Sequence, residues 1–149
     1  MDQEGIYQQQ VMDRARAPVH AGLPEGATHE GTGVNPMCGD QVRVGLVLDG
    51  QGRVARIGHR TRGCAICVAS ADLMAELALG CDGGELKAVS AAFDRMVRDG
   101  GAAPRDELAV FAPLRRHRSR IRCATLPWSA LETALADGRQ CATDESKDG

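Results

Sequence analysis

Aromatic residues are scarce in this sequence, with one Trp, one Tyr and two Phe among 149 residues. Any core must therefore be aliphatic, built from Leu, Val, Ile, Met and Ala. A basic excess is also missing: the formal net charge is -2, and a nucleic-acid partner would call for a clustered positive surface. No apolar run approaches the length that spans a bilayer. The opening residues MDQEGIYQQQ carry no basic stretch followed by an apolar one, the pattern of a secretory signal. Neither nucleic acid nor membrane is thus an expected partner, and no internal repeat is present. Close cysteine pairs are rare too. Only Cys64 and Cys67 stand as CxxC, so a zinc ribbon or finger, which draws its ligands from close pairs, is excluded.

What remains is an ordinary globular composition, 43% hydrophobic and 26% charged. The length suits one domain with a real core. That domain is expected over residues 1–137, with a polar, disordered tail over 138–149. Six cysteines without a signal segment point to a reducing, cytoplasmic setting. Patterned cysteines there are ligands or nucleophiles more often than disulfides.

The pattern predicts a helix over residues 4–16, stopped by Pro18, then a Gly- and Pro-rich loop over 19–33 with a weak edge strand near 27–31. The clearest strand covers 41–49, with Val42, Val44, Leu46 and Leu48 on one face. Asp49-Gly50-Gln51-Gly52 is a hairpin signal. The return strand covers 53–60 with Ala55 and Ile57 inward. A helix opening at Cys64 repeats Ile66, Ala69, Leu73 and Leu77 until Gly80, and a second over 84–98 buries Leu86, Val89, Phe93 and Met96. Residues 106–114 form a short helix or ordered loop, interrupted by Pro113. After a basic run over 115–122, Cys123 opens the last helix, roughly 125–136, with Pro127 in its first turn. Strands followed by helices imply an α+β fold, a small antiparallel sheet of about three strands with helices packed on it.

The chemistry gathers around one stretch, NPMCGD at 35–40. Pro36 sets the entry and Gly39 permits a sharp turn, so that Cys38 and Asp40 face one point. Two donors do not make a zinc site, which takes four ligands or three and an open position. Cys64 and Cys123 are the candidates for the rest. Both are placed at helix starts, where peptide dipoles favour an anion and thiols ionise more readily. Cys38, Asp40, Cys64 and Cys123 would close a tetrahedron. Taken singly, Cys64 and Cys123 would be read as small buried hydrophobes; the joint pattern favours a site. Cys64-Ala65-Ile66-Cys67 at a helix start suggests a thioredoxin-like redox pair, but the strand order that would support it does not follow. Cys67 points at the same site or into the core, with the core favoured. Cys81 and Cys141 read as incidental, and His20, His29, His59 and His117 as solvated surface residues. Within the basic run, an arginine could pair with Asp40 or guide an anionic partner.

Three motifs in order, NPMCGD, GCAICVASADLM and RIRCATLPWSALE, resemble the SufU branch of the SufU/IscU/NifU N-terminal family over nearly the whole chain. The resemblance implies a small antiparallel sheet with packed helices. It also implies a metal site at Cys38, Asp40, Cys64 and Cys123, with Arg120 matching an arginine near that site, set to orient Asp40 or engage a partner. The family serves iron–sulfur cluster assembly with a cysteine desulfurase. Its SufU branch carries Zn2+ and accepts persulfide sulfur from a SufS-type desulfurase, on the way to a downstream iron–sulfur scaffold. Its IscU branch is itself a scaffold for a transient [2Fe-2S] cluster. SRIR stands here where IscU proteins carry LPPVK, and the long stretch between Cys64 and Cys123 resembles the SufU insertion. The expected function is therefore a zinc-dependent sulfurtransferase, with the scaffold as its alternative and a domain with purely structural zinc as a third reading. Cys38 is the expected sulfur acceptor, because it sits on a loop before glycine while Cys64 and Cys123 head helices. The sequence departs from SufU proteins in three places: Cys67 replaces a serine, Met37 a small residue, and the usual histidine after Asp13 is absent.

Overall fold

The structure, a computed structural model, describes residues 2–137; the expected tail and Cys141 lie outside the described residues. The elements run α1 (Gln3–Arg16), β1 (His29–Asn35), β2 (Asp40–Leu48), β3 (Val54–Arg62), α2 (Ala65–Ala78), α3 (Gly83–Asp99) and α4 (Ile121–Ala136), with 3-10 segments at Asp106–Arg116 and Arg118–Arg120 before α4. The three strands form an antiparallel sheet in the order β1-β2-β3. The fold is the α+β arrangement expected.

Alternation in β2 places Val42, Val44 and Leu46 in the core, where each contributes about 1.5–3 kcal/mol relative to exposure. Helix α4 packs on β1 and β2, and α2 packs on β3 and against α4. Helix α1 covers α2, while α3 leans on α4 and the longer 3-10 segment. The few aromatic rings are gathered rather than scattered: Phe93 meets Phe111 edge-on at 5.7 Å and Trp128 at 5.4 Å between ring centroids.

Several boundaries differ from those the sequence predicts. Strand β1 begins at His29, inside the expected 27–31, and continues to Asn35, because its second half pairs residue by residue with β2 up to Asn35 opposite Asp40. The NPMCGD stretch is therefore the turn of a β1-β2 hairpin. On β3, Val54 rather than Ala55 faces inward with Ile57. A bulge at Val47/Leu48 shifts the register and breaks the two-residue period. Helix α4 starts at Ile121, not Thr125, so Pro127 lies inside the helix rather than in its first turn. Proline has no N–H to give, and the carbonyl of Cys123, four residues earlier, loses its helical donor. Next to it, the Ser70 hydroxyl donates to the Ala124 carbonyl at 2.6 Å, tying α2 to α4.

Two of the histidines are not surface residues. His29 and His59 are buried. His59 Nε2 lies 3.0 Å from Asp72 Oδ1 and Nδ1 lies 2.8 Å from the Thr61 hydroxyl. Asp72 is fully buried and also accepts from the backbone N–H of Val19 and His20 and from Arg14 Nη1. Burial alone would raise the Asp72 carboxyl, but these donors hold it below the usual carboxylate range. The knot fastens α1 and the following loop to α2 and β3. An aspartate in the otherwise small and apolar run CVASADLM was the signal for it.

Helix α4 reaches β1 through Gly31. A Cβ there would lie 2.3 Å from Ala134 N and 2.5 Å from Ala130 O, and helix backbone has no flexible end to move aside. Gly31→Ala is expected to cost about 3 kcal/mol or more, read as a lowered denaturant midpoint. An unchanged midpoint would show that the helix does not rest on this strand as described.

Candidate metal centre

The hairpin turn is closed by Gly39 N–H donating to the Asn35 carbonyl at 2.8 Å. Gly39 has φ 79°, a left-handed conformation that favours glycine. The turn leaves Cys38 exposed and sets Asp40, the first residue of β2, into the interior. Cys64 is the N-cap of α2, with extended backbone. Cys123 is the third residue of α4 and is buried. One ligand atom each from Cys38, Asp40 and Cys123 lies within 4.8 Å of the others. Cys64 stands outside that triplet but makes a side-chain hydrogen bond with Cys123. Thus the β1-β2 turn and the start of α4 bring three of the four predicted residues together, and the start of α2 sets the fourth, Cys64, beside Cys123.

Cys123 does not behave as the expected helix-start thiol. Its thiol is raised above the ordinary range, first by burial, then by its hydrogen bond with Cys64 and by the Asp40 carboxylate. It lies inside the first turn of α4 instead of capping it, so desolvation outweighs the dipole. Cys67 is fully buried, and burial with nearby Asp40, Cys64 and Cys38 pushes its thiol up to about 12. It forms the floor of the site: a Cβ built on Gly63 would fall 3.2 Å from Cys67 Cβ and 3.0 Å from Asp40 Cγ.

The residues fit a cation. Asp40 Oδ2 is buried and has no hydrogen-bond partner, and an unpaired buried carboxylate oxygen is costly unless a positive charge meets it. Three thiols and one carboxylate make a soft, four-donor set suited to zinc. Thiolate sulfur also suits an iron–sulfur cluster. Arg120 does not supply the missing partner. It caps α4 at the exposed surface, and no hydrogen bond or ion pair joins it to Asp40. It lines instead a cavity of about 640 Å³ that lies between α1, the start of α2 and the 3-10 segments, with Arg116, His117 and Arg118 beside it.

Residues 6–143 match the family described as NifU-like N terminal domain. The chain belongs to that family. Among curated relatives, it is 29% identical over 133 residues to the iron-sulfur cluster assembly scaffold protein IscU of Streptococcus pyogenes serotype M1, covering 87% of this chain and 82% of that one. It is also 29% identical over 134 residues to the zinc-dependent sulfurtransferase SufU of Bacillus subtilis (strain 168), covering 88% and 90%. The crystal structure of a nitrogen-fixing NifU-like protein (N-terminal) from Brucella abortus superposes with a TM-score of 0.81 at 26% identity, covering 95% of this chain and 98% of that one. Among the described residues, no helix is long and apolar enough to cross a membrane.

The orphan oxygen makes the metal-free site a stability cost to this NifU-like domain. Asp40→Ala is expected to raise the stability of the metal-free protein by about 1–3 kcal/mol and to abolish the extra stability gained on adding zinc. Equal destabilisation with and without zinc would make Asp40 a structural residue of the hairpin.

Proposed function

We propose that this protein is a zinc-dependent sulfur acceptor in iron–sulfur cluster assembly, taking persulfide sulfur from a SufS-type cysteine desulfurase and passing it to a downstream scaffold. The observation that carries the reading is the buried, unpartnered Asp40 Oδ2 beside the converging thiols of Cys38 and Cys123. Cys38, Asp40, Cys64 and Cys123 would hold the zinc. When bound, it would keep its thiols as thiolates, the form that attacks sulfur.

Cys38 is the thiol placed to accept. It is exposed at a hairpin tip, and nothing lies within 4 Å of a Cβ built on Gly39, so the turn has room to move. Cys64 and Cys123 are fixed on α2 and α4, which the Ser70–Ala124 hydrogen bond ties together. In the transfer, the Cys38 sulfur attacks the terminal sulfur of the desulfurase persulfide. A sulfur–sulfur bond forms on Cys38, the old one breaks, and the desulfurase cysteine leaves as thiolate. Met37, 93% exposed beside Cys38, and the basic rim around Arg120 are the surfaces a desulfurase would meet.

A second reading is the scaffold, with a transient [2Fe-2S] cluster as cargo on the same residues. It is supported by the equally similar relative named IscU. Zinc bound one per chain in a colourless preparation favours transfer; a brown anaerobic preparation favours the scaffold.

After incubation with desulfurase and cysteine, peptide mass spectrometry should place the added sulfur on Cys38, and Cys38→Ser should abolish it with the fold intact. Sulfur found mainly on Cys64, Cys67 or Cys123 would falsify the assignment. Arg120→Ala should slow sulfur acceptance while changing stability by no more than about 0.5 kcal/mol, as for an exposed residue with no partner. Joint loss of zinc and stability would make Arg120 structural.

A further inference from the structure

We propose that Cys64 and Cys67 form a redox-active dithiol whose closure to a disulfide takes Cys64 out of the metal site. The inference rests on the metal role proposed for Cys64. Its basis is the placement of the two thiols on α2. Cys64 is the N-cap and Cys67 the third helical residue, the two positions between which a capping box reaches across the first turn. The same chain displays this relation in α3. There N-cap Asp82 accepts from Glu85 N–H at 2.8 Å, and Glu85 Oε1 accepts from Asp82 N–H at 2.9 Å. In α2 the Cys64 side chain makes no such cap bond to the backbone, so its sulfur is not held to a helix N–H.

The pair is also asymmetric. Cys64 is half-exposed and within reach of a small oxidant, whereas Cys67 is fully buried beneath it. Cys67 lies outside the converging set of Cys38, Asp40 and Cys123. In the proposed metal set Cys38, Cys64 and Cys123 are all committed to zinc, and Cys67 is the sulfur left uncommitted beside them. Cys81 follows the far end of α2, where its thiol donates to the Leu77 carbonyl. With Cys38 and Cys123 held by zinc, Cys67 is therefore the resolving thiol for an adduct formed on Cys64.

The oxidant is a low-molecular-weight disulfide. The Cys64 sulfur attacks one of its sulfurs, giving a mixed disulfide and releasing one thiol. The Cys67 sulfur then attacks Cys64 and releases the second thiol. Two thiols of the protein become one disulfide, and the oxidant takes up both electrons and both hydrogens as two thiols. The site is left with Cys38, Asp40 and Cys123, three donors where zinc had four. Excess thiol reverses the reaction and restores the fourth.

The test treats the full chain with glutathione disulfide, once stripped of zinc and once loaded, then alkylates free thiols and maps the peptides. The stripped protein should lose two hydrogens and carry a Cys64–Cys67 link. Loaded wild-type protein should release its zinc to a chromophoric chelator and recover binding after reduction, whereas Cys67→Ser and Cys67→Ala should bind zinc normally and, on oxidation, stop at a glutathione adduct on Cys64. Links from Cys64 to any other cysteine, or a lasting glutathione adduct on Cys64 with Cys67 still free, overturn the proposal. Zinc release from wild type with Cys64 and Cys67 both still free to alkylation overturns it too. A chain that forms the Cys64–Cys67 link but never binds zinc supports the pairing and instead removes the metal reading on which the proposed function stands.

Discussion

The approach of α4 to β1, with no room for a side chain at Gly31, is the contact on which the candidate metal centre depends. Cys123 rides on the first turn of α4, and Cys38 and Asp40 lie at the end of the hairpin that β1 enters. Any increase in the distance between helix and strand would pull the thiol away from the carboxylate. Small residues on the helix, Ala130 and Ala134, meet the glycine on the strand. The far end is pinned as well, where the Asp137 carboxylate accepts from the Glu30 N–H at 2.9 Å. Close backbone packing thus does at this interface what large side chains do elsewhere in the core.

Within that frame the centre is built against local stability. Asp40 is buried with one oxygen unpaired, and burial raises the Cys123 and Cys67 thiols. The unpaired oxygen is unfavourable in a metal-free protein while the raised thiols stay neutral, and a divalent cation would meet the oxygen and take the place of the thiol protons. Binding at such a site also displaces protons from its thiols. A donor set assembled from three segments couples the cation to the tertiary fold, unlike a finger whose ligands sit in close pairs.

The second buried polar cluster works in the opposite sense. Both Asp72 oxygens are satisfied by donors from Arg14, His59 and the backbone of Val19 and His20. Burial lowers His59 below the ordinary histidine range despite the adjacent carboxylate, so it remains a neutral donor. Complete satisfaction lets this knot fasten α1 to the rest of the domain, whereas the candidate metal centre keeps an Asp40 oxygen without a protein partner. Two buried aspartates in one small core are thereby separated by whether protein donors complete them.

Periodicity alone determined much of this protein. Alternating Val42, Val44 and Leu46 defined β2, and the spacing in the regions of α2 and α3 announced those helices, because local burial patterns are written in the order of residues. NPMCGD, with its proline and glycine, also marked a tight turn that presents a thiol and a carboxylate. The rest depended on contacts between distant segments. Ala55 lost its inward place to a bulge, α4 gained a turn ahead of Cys123, and His59 went inside to meet Asp72. Arg120, adjacent to the site in sequence, turned out to the surface. The convergence of Cys38, Asp40 and Cys123 had the same origin. Their separation along the chain carries no distance information until α4 settles on the sheet, and whether a thiol is exposed, capping or buried is decided only by what packs over it.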